Sequence, residues 1–107
     1  MTVPSSGGIK ALLESTAADL DGVDRRDGST GAEWSIGGIA FAAASDDRAE
    51  FRLARPVVAA ALRTPDTAPS DRGPDWVAFA PHELDGHAID RAVAWLTSAW
   101  RRADGET

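Results

Sequence analysis

The chain has 107 residues, 43% hydrophobic and 26% charged, the size and balance of one globular domain that buries its own core. Its formal charge of −6 weighs against nucleic acid or an anionic membrane as the main partner, since both are held chiefly through Lys and Arg. The lack of cysteine excludes disulfides, thiolate metal sites and a cysteine nucleophile.

No apolar run reaches the length of about 18 residues that a membrane helix needs. The segment MTVPSSGGIK lacks the basic and then apolar pattern of a signal peptide, so a cytoplasmic domain spanning 1–107 is expected. Basic residues are almost all arginine, with Lys10 the single lysine, and alanine is abundant, a composition that points to a GC-rich genome.

In chain order, Pro4, Ser5 and Ser6 precede a first helix marked by Ile9, Leu12, Leu13, Thr16, Ala17 and Leu20 at steps of three and four. Gly22 ends that segment, because glycine enters the left-handed region without steric cost. Val23 to Asp27 lies between this stop and the Gly28-Ser29-Thr30-Gly31 turn and fits a short edge strand. Ala32, Trp34 and Ile36 then alternate with Glu33 and Ser35, the period of a half-buried strand. Gly37-Gly38 interrupts the pattern as a bulge or sharp bend in or between strands, and Ile39 and Phe41 resume it. A phosphate-cradling loop at this pair would need a flanking nucleotide-binding frame, which is absent.

Ser45 to Arg48 is a polar turn into Ala49, Phe51 and Leu53, which completes a hairpin. Pro56 suits the first turn of a short helix carrying Val57, Val58, Ala61 and Leu62. Thr64 to Pro74 is a loop with one short extended piece near Thr67 to Ser70, and Trp76 to Ala80 is a further strand. A terminal helix follows, with Ile89, Val93, Leu96 and Trp100 as its core face, Ala92 and Ala99 flanking, and Trp95 at the boundary.

Three passages carry a family resemblance: Gly37-Gly38-Ile39-Ala40-Phe41, the AEFRLARPVVAAAL segment from Ala49 to Leu62, and Gly73-Pro74-Asp75-Trp76-Val77 with the helix after it. On these the chain resembles the YjbR/MmcQ-like superfamily, and more closely the small bacterial proteins with the so-called luciferase domain. The resemblance implies an α+β, two-layer domain with an antiparallel sheet, helices on one face and the order α-β(3)-α-β(1-2)-α. It implies no defined activity. Histidines sought in luciferase-domain sequences after the glycine-aromatic run and before the Gly-Trp strand are replaced here by Ala42-Ala43-Ala44-Ser45 and Thr67-Ala68-Pro69-Ser70.

Chemistry-bearing residues are densest at His82, Glu83, Asp85, His87 and Asp90. His82, Asp85 and His87 are the candidate metal ligands, yet their spacing matches no zinc motif, and Asp85 is more simply the cap of the last helix. No serine sits in a nucleophile-elbow setting, Asp46-Asp47 fits a solvated turn, and no residue takes a catalytic role. No cofactor is expected.

Strand alternation gives the main functional expectation. With Trp34, Ile36, Phe41, Phe51, Val77 and Phe79 toward the helices, Ala40, Ala42, Trp76 and Ala78 fall on the opposite face with Glu50 and Arg52; a register shifted by one residue reverses every assignment and puts Trp76 in the core. Such an apolar open face suits a homodimer, another protein partner or an apolar ligand, so a non-enzymatic, self-associating interaction module is expected. The alternative is small-molecule binding, with or without catalysis, in a pocket between the terminal helix and the sheet near Arg91 and Trp95. DNA binding comes third, carried by the family resemblance; the basic residues Arg91, Arg101 and Arg102 suit phosphate or an acidic partner but fit a solvated helix face more simply, with Asp90, Asp104 and Glu106 nearby.

Overall fold

Alternating apolar positions in successive segments build the sheet, and the two strongest three-and-four repeats build the helices that cover it. The computed structural model describes residues 8–28 and 31–107. The elements are α1 (Ile9–Ala17), β1 (Val23–Asp27), β2 (Ala32–Ile36), β3 (Ile39–Ala44), β4 (Ala49–Arg52), α2 (Arg55–Ala61), β5 (Thr67–Pro69), β6 (Trp76–Phe79) and α3 (Gly86–Gly105). The expected lead-in at Pro4 to Ser6, and Ser29 and Thr30 of the first turn, lie outside the described residues. The fold is α+β in two layers: six strands in the order β1-β2-β3-β4-β6-β5, every neighbouring pair antiparallel, with three helices. Edge strand β1 brings the strands before α2 to four, where the family order counts three. Among the described residues no helix is long and apolar enough to cross a membrane.

Gly37 and Gly38 form the two-residue connection between β2 and β3, with φ of 58° and 83°. Positive φ at both positions is the geometry that matches the twist of a tight hairpin, and glycine takes it without strain. The bulge lies further on. Trp34 pairs with Ala42 but Ser35 pairs with Ala40, so Phe41 is the extra residue in β3. Phe41 and Ala42 both become fully buried on the helix side. This corrects the sequence expectation for Ala42, which strict alternation sends to the open face; the bulge resets the alternation by one residue.

The inner face carries Trp34, Phe41, Phe51, Val77 and Phe79, all in one buried cluster with Leu13 of α1 and Leu96 of α3. Each large side chain there contributes about 1.5–3 kcal/mol by leaving water. Asp85 starts α3 as its N-cap, its Oδ1 accepting a hydrogen bond from the Ala88 amide at 2.9 Å. The buried stripe of α3 is Ala88, Ala92, Leu96, Ala99 and Ala103. Its centre lies about 60° around the helix from the expected centre at Ile89, and Ile89 is 36% exposed. Alanine explains the rotation: a stripe without bulk lets the helix backbone lie close to the sheet, so the small residues are the most deeply covered. Trp95, flanking this stripe, meets Phe79 edge-on at 5.1 Å between ring centroids and Phe51 at 6.0 Å. Such pairs add about 0.5–1.5 kcal/mol beyond burial.

Polar contacts fasten the C-terminal end of α3. Arg102 donates to the Leu53 carbonyl at 2.6 Å and to the Asp75 carboxylate at 2.9 Å, joining the helix to the end of β4 and the start of β6. Arg52 donates to Glu106 at 2.7 Å. The hydrogen bond from Arg102 holds the Asp75 carboxyl below its usual range, and the one from Arg52 does the same for Glu106.

Candidate functional site

Antiparallel register places one polar row across the open face of the sheet. Arg26 of β1 lies opposite Glu33 of β2, Glu33 opposite Ala43 of β3, Ala43 opposite Glu50 of β4, and Glu50 opposite Ala78 of β6. Two glutamates thus flank a single alanine, whose missing bulk leaves room above it. Arg72, from the loop before β6, fills that space: its Nη1 donates to Glu33 at 2.9 Å and its Nε to Glu50 at 3.1 Å. Ser70 Oγ donates to the other Glu50 oxygen. Burial pulls the Arg72 pKa down, but the hydrogen bonds to Glu50 and Glu33 outweigh it and raise the pKa above its ordinary value. The same guanidinium stacks 5.2 Å from the ring of Trp76.

These contacts revise the character of the open face. Ala40, Trp76, Ala78, Glu50 and Arg52 lie on it, as alternation expects, whereas Ala42 faces the core. It is not an apolar patch. Ala43 and Ala78 are only 3% and 7% exposed although they point outward, and Trp76 is half-buried with Arg72 against it. Arg52, paired with Glu106, is tied to the end of α3. The overlooked element is the loop from Ser70 to Gly73, which folds a charged side chain over the alanines.

Where the row meets the turn end of the sheet, a cavity of about 200 Å³ opens. Its walls include three guanidiniums, Arg26, Arg48 and Arg72, and three carboxylates, Asp27, Glu33 and Glu50. Arg72 is committed to Glu33 and Glu50, and Asp27 is paired with Arg25 at 2.9 Å. Arg26 and Arg48 form no ion pair with any described residue. Close backbone approach shapes the floor: a Cβ on Gly31, which has φ of 156°, would stand 2.0 Å from the Ala44 carbonyl oxygen. Chemically the cavity offers forked donors for a carboxylate or phosphate beside carboxylates that accept from an ammonium or hydroxyl. Sequence reasoning missed Arg26, Glu33, Arg48 and Arg72 as site residues. The signal it could have used is charge at outward positions of β1, β2 and β4, at Arg26, Glu33 and Glu50.

Arg91 and Trp95 do share a surface. Together with Ala60, Ala61, Thr64, Asp90 and Ala94 they line an open cleft of about 340 Å³ between α2 and α3, so α2 supplies the wall expected from the sheet. The three metal candidates stay apart in role: His82 is exposed and meets Asp66 at 3.1 Å, Asp85 caps α3, and His87 is exposed at its first turn. Among the described residues no group of three or more His, Asp or Glu side chains converges to hold a metal ion. Of the terminal basic residues, Arg102 is spent on Leu53 and Asp75, which leaves Arg91 and Arg101. No family model, no curated protein and no solved structure matches the chain.

Proposed function

We propose that the chain is a binding module whose working surface is the open face of its sheet, and that the cavity at the turn end of that face receives a small polar ligand. The observation that carries this reading is Arg26 and Arg48, two guanidiniums at one cavity without an acidic partner among the described residues. A homodimer has less to build on than alternation suggested, because Ala42 faces the core, Ala78 is only 7% exposed and Arg72 lies against Trp76. The size of the cavity supports a small occupant, since pockets for drug-sized ligands run to roughly 300–1,000 Å³. A cytoplasmic location and a place in the YjbR/MmcQ-like superfamily belong to the same proposal; the latter is supported by the order of elements around the passages that carry the resemblance.

One observation favours a second reading. The cleft between α2 and α3 brings Arg91 and Trp95 together on a largely apolar wall, which suits an apolar ligand with one anionic group. Native mass spectrometry of protein purified gently from its host separates the two. The expected spectrum shows a small-molecule adduct that the double variant Arg26→Glu/Arg48→Glu loses and Arg91→Glu keeps. An adduct lost only with Arg91→Glu moves the function to the cleft, and a ligand-free dimer removes the small-ligand reading in favour of self-association.

A further inference from the structure

We infer that the open-face cavity takes a small zwitterion of amino-acid size, its carboxylate held by Arg26 and Arg48 and its ammonium by Glu33. This rests on the open-face reading and adds the chemical class of the occupant. Arg26 and Glu33 are directly opposite in the register, where side chains start about 4.5–5.5 Å apart at Cβ and opposite charges ordinarily pair. They do not pair. Glu33 instead turns one oxygen, Oε2, to Arg72, and its Oε1 accepts no hydrogen bond from a described residue. Glu50, by contrast, has both oxygens engaged, one by Arg72 and one by Ser70.

The result is a cavity whose lining holds, among the described residues, two guanidiniums without an acidic partner and a carboxylate oxygen without a donor. A purely anionic ligand satisfies Arg26 and Arg48 but brings its charge toward Glu33, and a purely cationic one does the reverse. A molecule carrying both charges on neighbouring carbons satisfies both at once. The guanidinium fork fixes its carboxylate by paired hydrogen bonds, and the oxygen of Glu33 accepts from its ammonium. The volume of about 200 Å³ limits what else it carries to a short side chain.

Isothermal titration calorimetry on the full chain tests this with four kinds of probe: neutral α-amino acids such as serine and glutamine, their N-acetyl derivatives, their amides, and inorganic phosphate. The free amino acids are expected to bind at least about tenfold more tightly than either blocked form, since each block removes a charge-assisted contact. Arg26→Gln and Arg48→Gln should each weaken the free amino acid by about tenfold or more. Glu33→Gln should weaken the free amino acid and leave the N-acetyl derivative unchanged, whereas general damage to the fold would weaken both. N-acetyl amino acids or phosphate binding as tightly as the zwitterions would overturn the inference and leave an anion site on the same face. No binding by any probe overturns it too, while an adduct sensitive to Arg26 and Arg48 would still uphold the open-face reading. Binding of amino acids that the Arg26 and Arg48 substitutions leave untouched would remove both.

Discussion

The bulge at Phe41 decides which residues belong to the binding face, and a pair of aspartate substitutions reads it out. Ala42 is fully buried, opposite Trp34 on one side and Phe51 on the other, while Ala40, two residues earlier, lies opposite Ser35 on the open face. Among the described residues the core holds no buried polar or charged side chain that could answer a new carboxylate. Ala42→Asp should therefore cost roughly 3–5 kcal/mol, the penalty of an uncompensated buried charge. That is a large part of the roughly 5–15 kcal/mol that holds a domain of this size together. Ala40→Asp should cost under about 1 kcal/mol, chiefly the poor strand propensity of aspartate. With urea slopes of about 1–3 kcal/mol per molar, the midpoint should fall by about 1 M or more for Ala42→Asp and by a fraction of that for Ala40→Asp. Ala42→Ser, expected at about 1–3 kcal/mol, keeps the comparison measurable if the aspartate variant does not fold. Equal and small costs at the two positions would mean that β3 alternates strictly and that Ala42 is a surface residue after all.

Arg72→Ala should lower stability by about 1–2 kcal/mol, because its ion pairs are partly exposed and screened and its stacking on Trp76 adds a similar small amount. The loss should shrink at high salt, which screens partly exposed ion pairs; a loss independent of salt would mean that Arg72 acts through packing alone. The carboxyls of Asp75 and Glu106 lie below their ordinary values of 3.8 and 4.5, so the unfolded chain binds more protons than the folded one in that range. Their stabilisation is complete above those values and is lost as pH falls through the lower folded values. Urea midpoints should accordingly decline in acid, and less steeply in Asp75→Asn; equal slopes for the variant and the parent would refute the assignment. Gly31→Ala should cost about 2 kcal/mol or more or displace the first hairpin, since its Cβ meets the Ala44 carbonyl, whereas Gly38→Ala, with open space around it, should cost only about 1–2 kcal/mol of left-handed strain. Thermal melts that rank the two in the opposite order would show that backbone approach does not close the cavity floor.

Much of the fold was legible because burial leaves a periodic trace. The alternation of Ala32, Trp34 and Ile36, the glycine pair before Ile39, Pro56 in the first turn of α2 and the capping aspartate of α3 each correspond to one local physical requirement, and each lies where it was expected. Two positions depart from expectation for different physical reasons. Ile89 is the more hydrophobic residue, but Ala92 is the one that lets α3 approach the sheet, and the helix turns accordingly. Ala42, by contrast, falls outward only by alternation from Phe41, because nothing in an alanine run marks the one-residue slip that the partner strand imposes.

The site was harder to see for a different reason. Arg26, Glu33, Arg48, Glu50 and Arg72 come from three strands, a turn and a loop, and no two of the five are adjacent in sequence. What brings them together is register, which fixes Arg26 beside Glu33 and sets the two glutamates on either side of Ala43. A sequence shows that these positions point outward and nothing about which of them are neighbours. Trp76 illustrates the gap: of the two orientations that alternation allows, the structure has the outward one, yet the face around it is not apolar, because Arg72 returns from a loop that periodicity does not describe. Small residues on an exposed strand therefore carry two meanings. They can form a bare contact surface, or they can be the floor on which a long charged side chain lies. In this chain Ala43 is such a floor, and the charge it accommodates leaves Glu33 half-satisfied and Arg26 unpaired among the described residues.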